Sequence, residues 1–221
     1  MLYIVSTPIG NLKDITLRAI ETLKNVDLIA AEDTRHTRIL TQHYGIETPA
    51  TSYFEHNQIK KADYLLGLLK EGKSVALVTD AGTPGISDPG FHLIRLAKQA
   101  GVPVTVVPGP TALIAALSLS GLPAHNFIFE GFLPVKSAAR RRKLESLKVE
   151  TRTIIFYESP HRLAKVLKDI EEILGDPAVV CVRELTKKFE EVKKAPASEL
   201  FQHFTQTPPR GEFVLLLSLN S

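Results

Sequence analysis

The chain is poor in the residues that carry redox and metal chemistry. Its 221 residues include one cysteine, one methionine and no tryptophan, and aromatics make up 7%. A lone Cys181 excludes a disulfide framework and a cysteine-built zinc site. Its place in the apolar run Ala178-Val179-Val180-Cys181-Val182 predicts a buried strand thiol. The histidines are scattered, at His36, His43, His56, His92, His125, His161 and His203, so no metal site is expected from their spacing. No apolar run is long enough to span a bilayer. The opening Met1-Leu2-Tyr3-Ile4-Val5 is too short for the core of a secretory signal and has no basic segment before it. The expectation is a reduced, soluble, cytoplasmic chain with no membrane partner. A dominant charge is lacking too. The 27 basic against 24 acidic residues leave a net +3, which permits nucleic acid as a partner without requiring it.

What is present is an ordinary globular composition, 44% hydrophobic and 23% charged, enough to bury a core without staples. Short apolar runs alternate with amphipathic ones. Strands are expected at Leu2–Val5, Asp27–Ala31, Ser74–Thr79 and Val104–Val107, and a short strand or extended loop at Thr48–Ser52. Helical patterns lie between them, the first opened by Asp14 and later ones closed by Gly45, Gly72 and Gly101. This order predicts a parallel sheet covered on both faces. Gly121-Leu122-Pro123 breaks the pattern, so the predicted α/β domains span 1–120 and 121–221. In the second half, strands are expected at Phe127–Phe132, Thr153–Tyr157, Ala178–Val182 and Phe213–Leu219, with a charged edge strand at Lys188–Lys194. A basic helix runs from Ser137 to Lys148, an amphipathic one from His161 to Leu174, and Ser198 is the expected cap of a short helix.

In an open α/β sheet, ligands bind beyond the carboxyl ends of the strands. Three turns sit at such ends: Thr7–Asn11, Asp80–Gly90 and Pro108–Thr111. All are rich in glycine and proline, which allow close backbone approach and stiffen the loop. A P-loop would need a lysine followed by serine or threonine after the glycines, and none is present. A dinucleotide fingerprint would need three spaced glycines after the first strand, where only Gly10 stands. The central turn instead carries two acids and no base. That suits a ligand with hydroxyls or positive charge better than one with phosphates. Asp80, at the strand terminus itself, reads as a ligand contact. Asp88, followed by Pro89 at an expected first helical position, reads as the cap of the next helix.

Five segments together resemble one family: Ser6-Thr7-Pro8-Ile9-Gly10-Asn11, Ala31-Glu32-Asp33-Thr34-Arg35, Asp80 through Gly90, Val107-Pro108-Gly109-Pro110-Thr111-Ala112 and Phe156-Tyr157-Glu158-Ser159-Pro160-His161-Arg162. They are similar to the ribosomal RNA small subunit methyltransferase I family, a branch of the tetrapyrrole methylase-like (class III) methyltransferases. The resemblance runs from Leu2 to Phe213. It implies two α/β domains with S-adenosylmethionine in the cleft between them, 2′-O-methylation of a cytidine in the decoding region of 16S rRNA, and a homodimer. By position it implies cofactor contacts from Pro8, Asp80, Gly82, Gly85, Ile86, Thr111 and Ala112, with Tyr157 added from the second domain.

Methyl transfer to a ribose hydroxyl calls for a base, because that hydroxyl is a poor nucleophile. Polar side chains at the strand ends are the candidates: Glu32, Asp33, Glu55 and His56, with Arg35 placed to hold a phosphate. Asp33 is also a natural cap for the helix that follows. None identifies itself as the base. The densest basic patch, Lys136 with Arg140-Arg141-Arg142-Lys143, is the expected RNA-binding surface, so an Arg140→Glu, Arg141→Glu pair is expected to weaken RNA binding. Arg35, His36, Arg38, His161 and Arg162 would extend that rim. A small-molecule, tetrapyrrole-type methyltransferase and a non-catalytic RNA-binding assembly factor are the alternatives, and the basic run favours RNA over both a corrin and a porphyrin precursor.

Overall fold

A computed structural model describes residues 1–220. The chain divides into two compact units, 1–111 and 112–221. In the first, strand and helix alternate: β1 (Leu2–Val5), α1 (Leu17–Asn25), β2 (Leu28–Ala31), α2 (Thr34–His43), β3 (Ala50–Ser52), α3 (Gln58–Lys70), β4 (Val75–Val78), α4 (Phe91–Gln99) and β5 (Val104–Val107). The strands form one parallel sheet in the order β3-β2-β4-β1-β5. All carboxyl ends therefore share one edge.

Helices cover both faces because the central strands are apolar on both. Ala76 and Val78 of β4 pack with Ala19, Leu23 and Leu40 of α1 and α2. Val75 and Leu77 point the other way, onto Leu65, Leu69, Leu93 and Ala97 of α3 and α4. Helix α1 starts later than its sequence pattern suggests. A 3-10 turn at Leu12–Asp14 comes first, and Thr16 then caps α1 by accepting from the Ala19 N–H at 3.1 Å.

The second unit holds α5 (Ala112–Ser120), β6 (Phe127–Phe132), α6 (Ser137–Ser146), β7 (Thr153–Glu158), α7 (Leu163–Leu174), β8 (Ala178–Arg183), β9 (Glu191–Pro196), α8 (Ala197–Gln206) and β10 (Phe213–Leu217). Its sheet is mixed, in the order β6-β7-β10-β8-β9, with only β6 and β7 parallel. Helices α6, α7 and α8 bury Leu144, Leu163, Val166, Leu167, Ile170, Leu200 and Phe204 on one face of it. Helix α5 packs on β7, β8 and β10. Its apolar surface thus belongs to the second core, and the division falls one helix earlier than the break at Gly121 suggests.

Two other expectations need correcting here. Ser198 is not the cap of α8. The helix begins at Ala197, and the Ser198 N–H and hydroxyl donate to the Asp176 carboxylate at 2.8 and 2.7 Å. The basic run of α6 is also not a free surface. Arg140 is buried and its Nε donates to Asp169 of α7 at 2.6 Å, while Arg141 reaches Asp169 at 2.7 Å and Glu172 at 2.6 Å. Lys143 pairs with Glu130 at 2.6 Å. These residues pin α6 to its neighbours, and only Lys136 and Arg142 of the patch stand exposed. Cys181 is buried in β8, where burial pushes its thiol up to about 12, well outside the reactive range. Among the described residues, no helix is long and apolar enough to cross a membrane.

Candidate active site

Five loops leave the carboxyl edge of the first sheet, after β1, β2, β3, β4 and β5 in turn. Every candidate residue of the first unit lies on them or in the first turn of α2, at the edge where α/β sheets bind ligands.

The loops after β1 and β4 are tied together. Thr7 and Gly82 exchange backbone hydrogen bonds at 2.9 and 3.0 Å, and the Thr7 hydroxyl donates to the Thr79 carbonyl at 3.0 Å. The Ser6 and Thr83 hydroxyls lie 2.7 Å apart. Pro8 is buried beside this junction. The fifth loop passes at close range: a Cβ at Gly109 would come within 3.0 Å of the Ser6 Cβ. The β4 loop ends at Gly90, whose φ of 154° and close approach to Gly85 admit no side chain. A Cβ there would meet the Gly85 nitrogen at 2.9 Å. Gly90→Ala is therefore expected to destabilise the fold by about 1–3 kcal/mol, measured by urea denaturation.

Gly90, not Asp88, occupies the N-cap position of α4. The expected helix cap at Asp88 is thus corrected. With Gly90 between Pro89 and Phe91, the Asp88 side chain is two residues short of the cap. Among the described residues it has no hydrogen-bond partner, and it lines a cleft of about 490 Å³. Three carboxylates gather here. The Asp80 N–H donates to Glu32 at 3.2 Å, and the Asp33 N–H donates to the Asp80 carboxylate at 3.1 Å, which locks the ends of β2 and β4 together. Burial raises the Glu32 carboxyl above its ordinary value, with the neighbouring Asp80 and Asp33 charges adding to the effect. Burial, followed by the charges of Glu32 and Asp80, pushes Asp88 up to about 7.

Asp33 behaves differently. It caps α2 by accepting from the Arg35 N–H at 2.8 Å, and the Arg35 guanidinium grips the same carboxylate at 2.6 Å. That pairing holds Asp33 down to about 2, a poor value for a base at neutral pH. Arg35 is spent on this local pair, although its side chain is 90% exposed. His56 is not drawn into the cluster. It stands exposed in the loop after β3, edge-on to Phe54 with ring centroids 6.3 Å apart. Ile86 is 42% exposed on the rim of the β4 loop, while Gly82 and Gly85 hold left-handed backbone with φ of 80° and 84°. Thr111 and Ala112 are partly buried at the start of α5. One residue on, the Leu113 N–H donates to the Tyr157 hydroxyl at 3.1 Å, so Tyr157 anchors the opening of that helix.

Sequence reasoning misassigned Asp88 and missed the Tyr53 hydroxyl, which accepts from the Leu93 N–H at 3.2 Å beneath the same loop. The glycine at position 90, directly before the apolar periodicity of α4, was the available signal for the first.

The fold and the glycine-lined carboxyl edge are those of one methyltransferase class. Residues 1–200 match the Tetrapyrrole (Corrin/Porphyrin) Methylases. A cobalt precorrin-4 methyltransferase shares the fold at a TM-score of 0.74 and 22% identity, over 99% of this chain and 95% of that one. Sequence relatives are nearer. The ribosomal RNA small subunit methyltransferase I of Thermotoga maritima is 52% identical over 98% of this chain and 97% of its own length. The protein of the same name from Escherichia coli O157:H7 is 53% identical over 98% of this chain and 77% of its own. The chain belongs to the tetrapyrrole methylases and, within them, to the ribosomal RNA small subunit methyltransferase I family.

Proposed function

We propose that the chain transfers a methyl group from S-adenosylmethionine to the ribose 2′-hydroxyl of a cytidine in the decoding region of 16S rRNA. The observation that carries this reading is the carboxylate cluster Glu32, Asp80 and Asp88, set among close-packed glycines at the carboxyl edge of a parallel sheet. Its donor set fits the cofactor, whose sulfonium, ammonium and ribose hydroxyls suit carboxylates and exposed backbone, and not a phosphate-binding lysine. The relatives' shared name supports small-subunit rRNA as the substrate. The ribose position, the cytidine, a homodimer and a cytoplasmic location follow from the family resemblance.

When bound, S-adenosylmethionine supplies an activated methyl group and a neutral thioether leaving group. The chain's own part is to hold and deprotonate. Pro8, Asp80, Gly82, Gly85, Ile86 and Thr111 are the proposed cofactor contacts of the first unit, and Ala112 and Tyr157 those of the second. Asp88 is the proposed base: it has no hydrogen-bond partner among the described residues, lines an open cleft and is pushed up to about 7 by burial. Glu32 orients the Asp80 backbone, and the Asp33–Arg35 pair holds the start of α2.

Small subunits lacking the modification, incubated with wild-type protein and tritiated cofactor, are expected to yield 2′-O-methylcytidine on nuclease digestion. Asp80→Ala is expected to weaken cofactor binding at least about tenfold by calorimetry, the loss of one charge-assisted contact, while its circular dichroism remains native. Label appearing on a corrin precursor and not on RNA would overturn the reading, as would wild-type cofactor affinity in the variant for Asp80's part in it.

A further inference from the structure

The cleft beside Asp88 has features that deprotonation alone does not use. One wall is the segment carrying Glu55, Gln58 and Ile59. The other is the turn into α4, with Asp88, Phe91 and His92. Its volume of about 490 Å³ lies within the range of small-ligand sites. Phe91 and Ile59 are each 69% exposed at this cleft. Large apolar side chains grouped at the mouth of a polar cleft mark a binding surface.

We propose that this cleft seats the target nucleotide, flipped out of its helix, with Phe91 as the stacking platform and Glu55 and Gln58 reading the edge of the base. The inference rests on the reading of the chain as an RNA ribose methyltransferase and names the nucleotide subsite of that activity.

The arrangement of charge argues for a nucleotide as the occupant. Carboxylates, Glu55 and Asp88, line the cleft. Cations lie beyond the lining: the Arg95 guanidinium sits 5.7 Å from the Phe91 ring centroid, and exposed Lys60 follows Ile59 in α3. A nucleotide has the matching pattern, with an amino-bearing base to insert and phosphates to leave outside. An aromatic face beside a guanidinium is the pairing that holds unstacked bases. Carboxylates select among bases as well. Cytosine presents its N4 amine as a donor to Glu55, whereas uracil presents an acceptor oxygen that the carboxylate repels. A base still stacked between its neighbours could not also lie on Phe91, so seating it here requires it to leave that stack. Seating the base here also brings its ribose to the wall that holds Asp88.

The test uses full-length protein, assembled small subunits and a short RNA with 2-aminopurine next to the target cytidine. Wild type is expected to methylate the subunits and to raise the 2-aminopurine fluorescence on binding. Phe91→Ala is expected to keep wild-type cofactor affinity by calorimetry, to weaken RNA binding by about tenfold or more from lost stacking, and to lose the fluorescence rise. Phe91→Tyr is expected to restore both. Glu55→Gln is expected to narrow the preference for cytidine over uridine at the target position by about tenfold. Phe91 is exposed, so these variants keep the fold. Active wild type with Phe91→Ala unchanged in RNA affinity and fluorescence would overturn the nucleotide seat and leave the methyltransferase reading standing. Wild type that methylates no RNA would overturn the reading itself. A Phe91→Ala protein that changes its sedimentation coefficient would show the surface to be a contact between copies of the chain, and the proposal would fall.

Discussion

Asp88→Asn is expected to lower kcat by about 100- to 10,000-fold, the usual contribution of a positioned base, with cofactor affinity unchanged. The same group predicts the pH profile. Asp88 accepts a proton only when ionised, and it is pushed up to about 7, by burial first and the Glu32 and Asp80 charges next. Single-turnover methylation at saturating cofactor should therefore rise with pH to a plateau above about 7 in the wild type, and stay low and flat through that region in the variant. Glu55 and His92 line the same cleft, so Glu55→Gln is the control that should keep the limb. A wild-type rate in Asp88→Asn would assign the proton to another group.

Stability should move in the opposite direction. The folded chain holds the Asp88 proton up to about 7, whereas the unfolded chain releases it near 3.8. Stability from this group is complete below about pH 4 and is lost as pH rises through 7. An asparagine, neutral at every pH, escapes that loss. Asp88→Asn should match the wild type near pH 4 and exceed it at pH 8 by about 1–2 kcal/mol, allowing for solvent screening at the cleft. Denaturation at the two pH values checks this. In its proposed role as a base, Asp88 would be a functional group held against the preference of the fold.

Arg140→Glu is expected to cost at least about 3–5 kcal/mol of stability, the range for breaking a buried ion pair. Both partners are buried, with side-chain exposures of 7% and 8% for Arg140 and Asp169. The new carboxylate would face Asp169 without a counter-charge, and the Val135 carbonyl would lose the Arg140 guanidinium that donates to it at 3.1 Å. Arg141 would remain as the only cation on Asp169, and in the double Arg140→Glu, Arg141→Glu variant even that would go. The double variant is thus a folding defect before it is a binding defect, contrary to its reading as a probe of RNA contact. Urea titration of the second unit's helical signal measures the loss. Lys136→Ala and Arg142→Ala are the substitutions that test RNA contact in this helix, since both side chains are exposed.

The parallel first sheet was legible in the sequence because alternation of apolar strand and amphipathic helix is a local property; the charged edge strand was legible only roughly, expected at Lys188–Lys194 and found at Glu191–Pro196. Strand order was not legible. Nothing local records that β4 inserts between β1 and β2; that choice is made by which apolar faces find each other. The same division runs through the site. Glycine-rich turns at strand ends are visible in the sequence because glycine answers to backbone conformation, and Gly82, Gly85 and Gly90 all hold positive φ.

Partnerships across the chain are not visible. Glu32 receives the Asp80 N–H from 48 residues away, and Asp169 takes Arg140 from 29 residues away. A carboxylate in the sequence has no fixed role until its neighbours are known. Paired with Arg35, Asp33 is a cap held down to about 2; buried near Glu32 and Asp80, Asp88 is pushed up to about 7. The sequence by itself determined the fold class, the turns and the family, since each depends on residue type and local spacing. Only the tertiary structure decided which acid is raised by burial and which arginines are held in ion pairs, because burial and the sign of the nearest charge are set by residues remote in the chain.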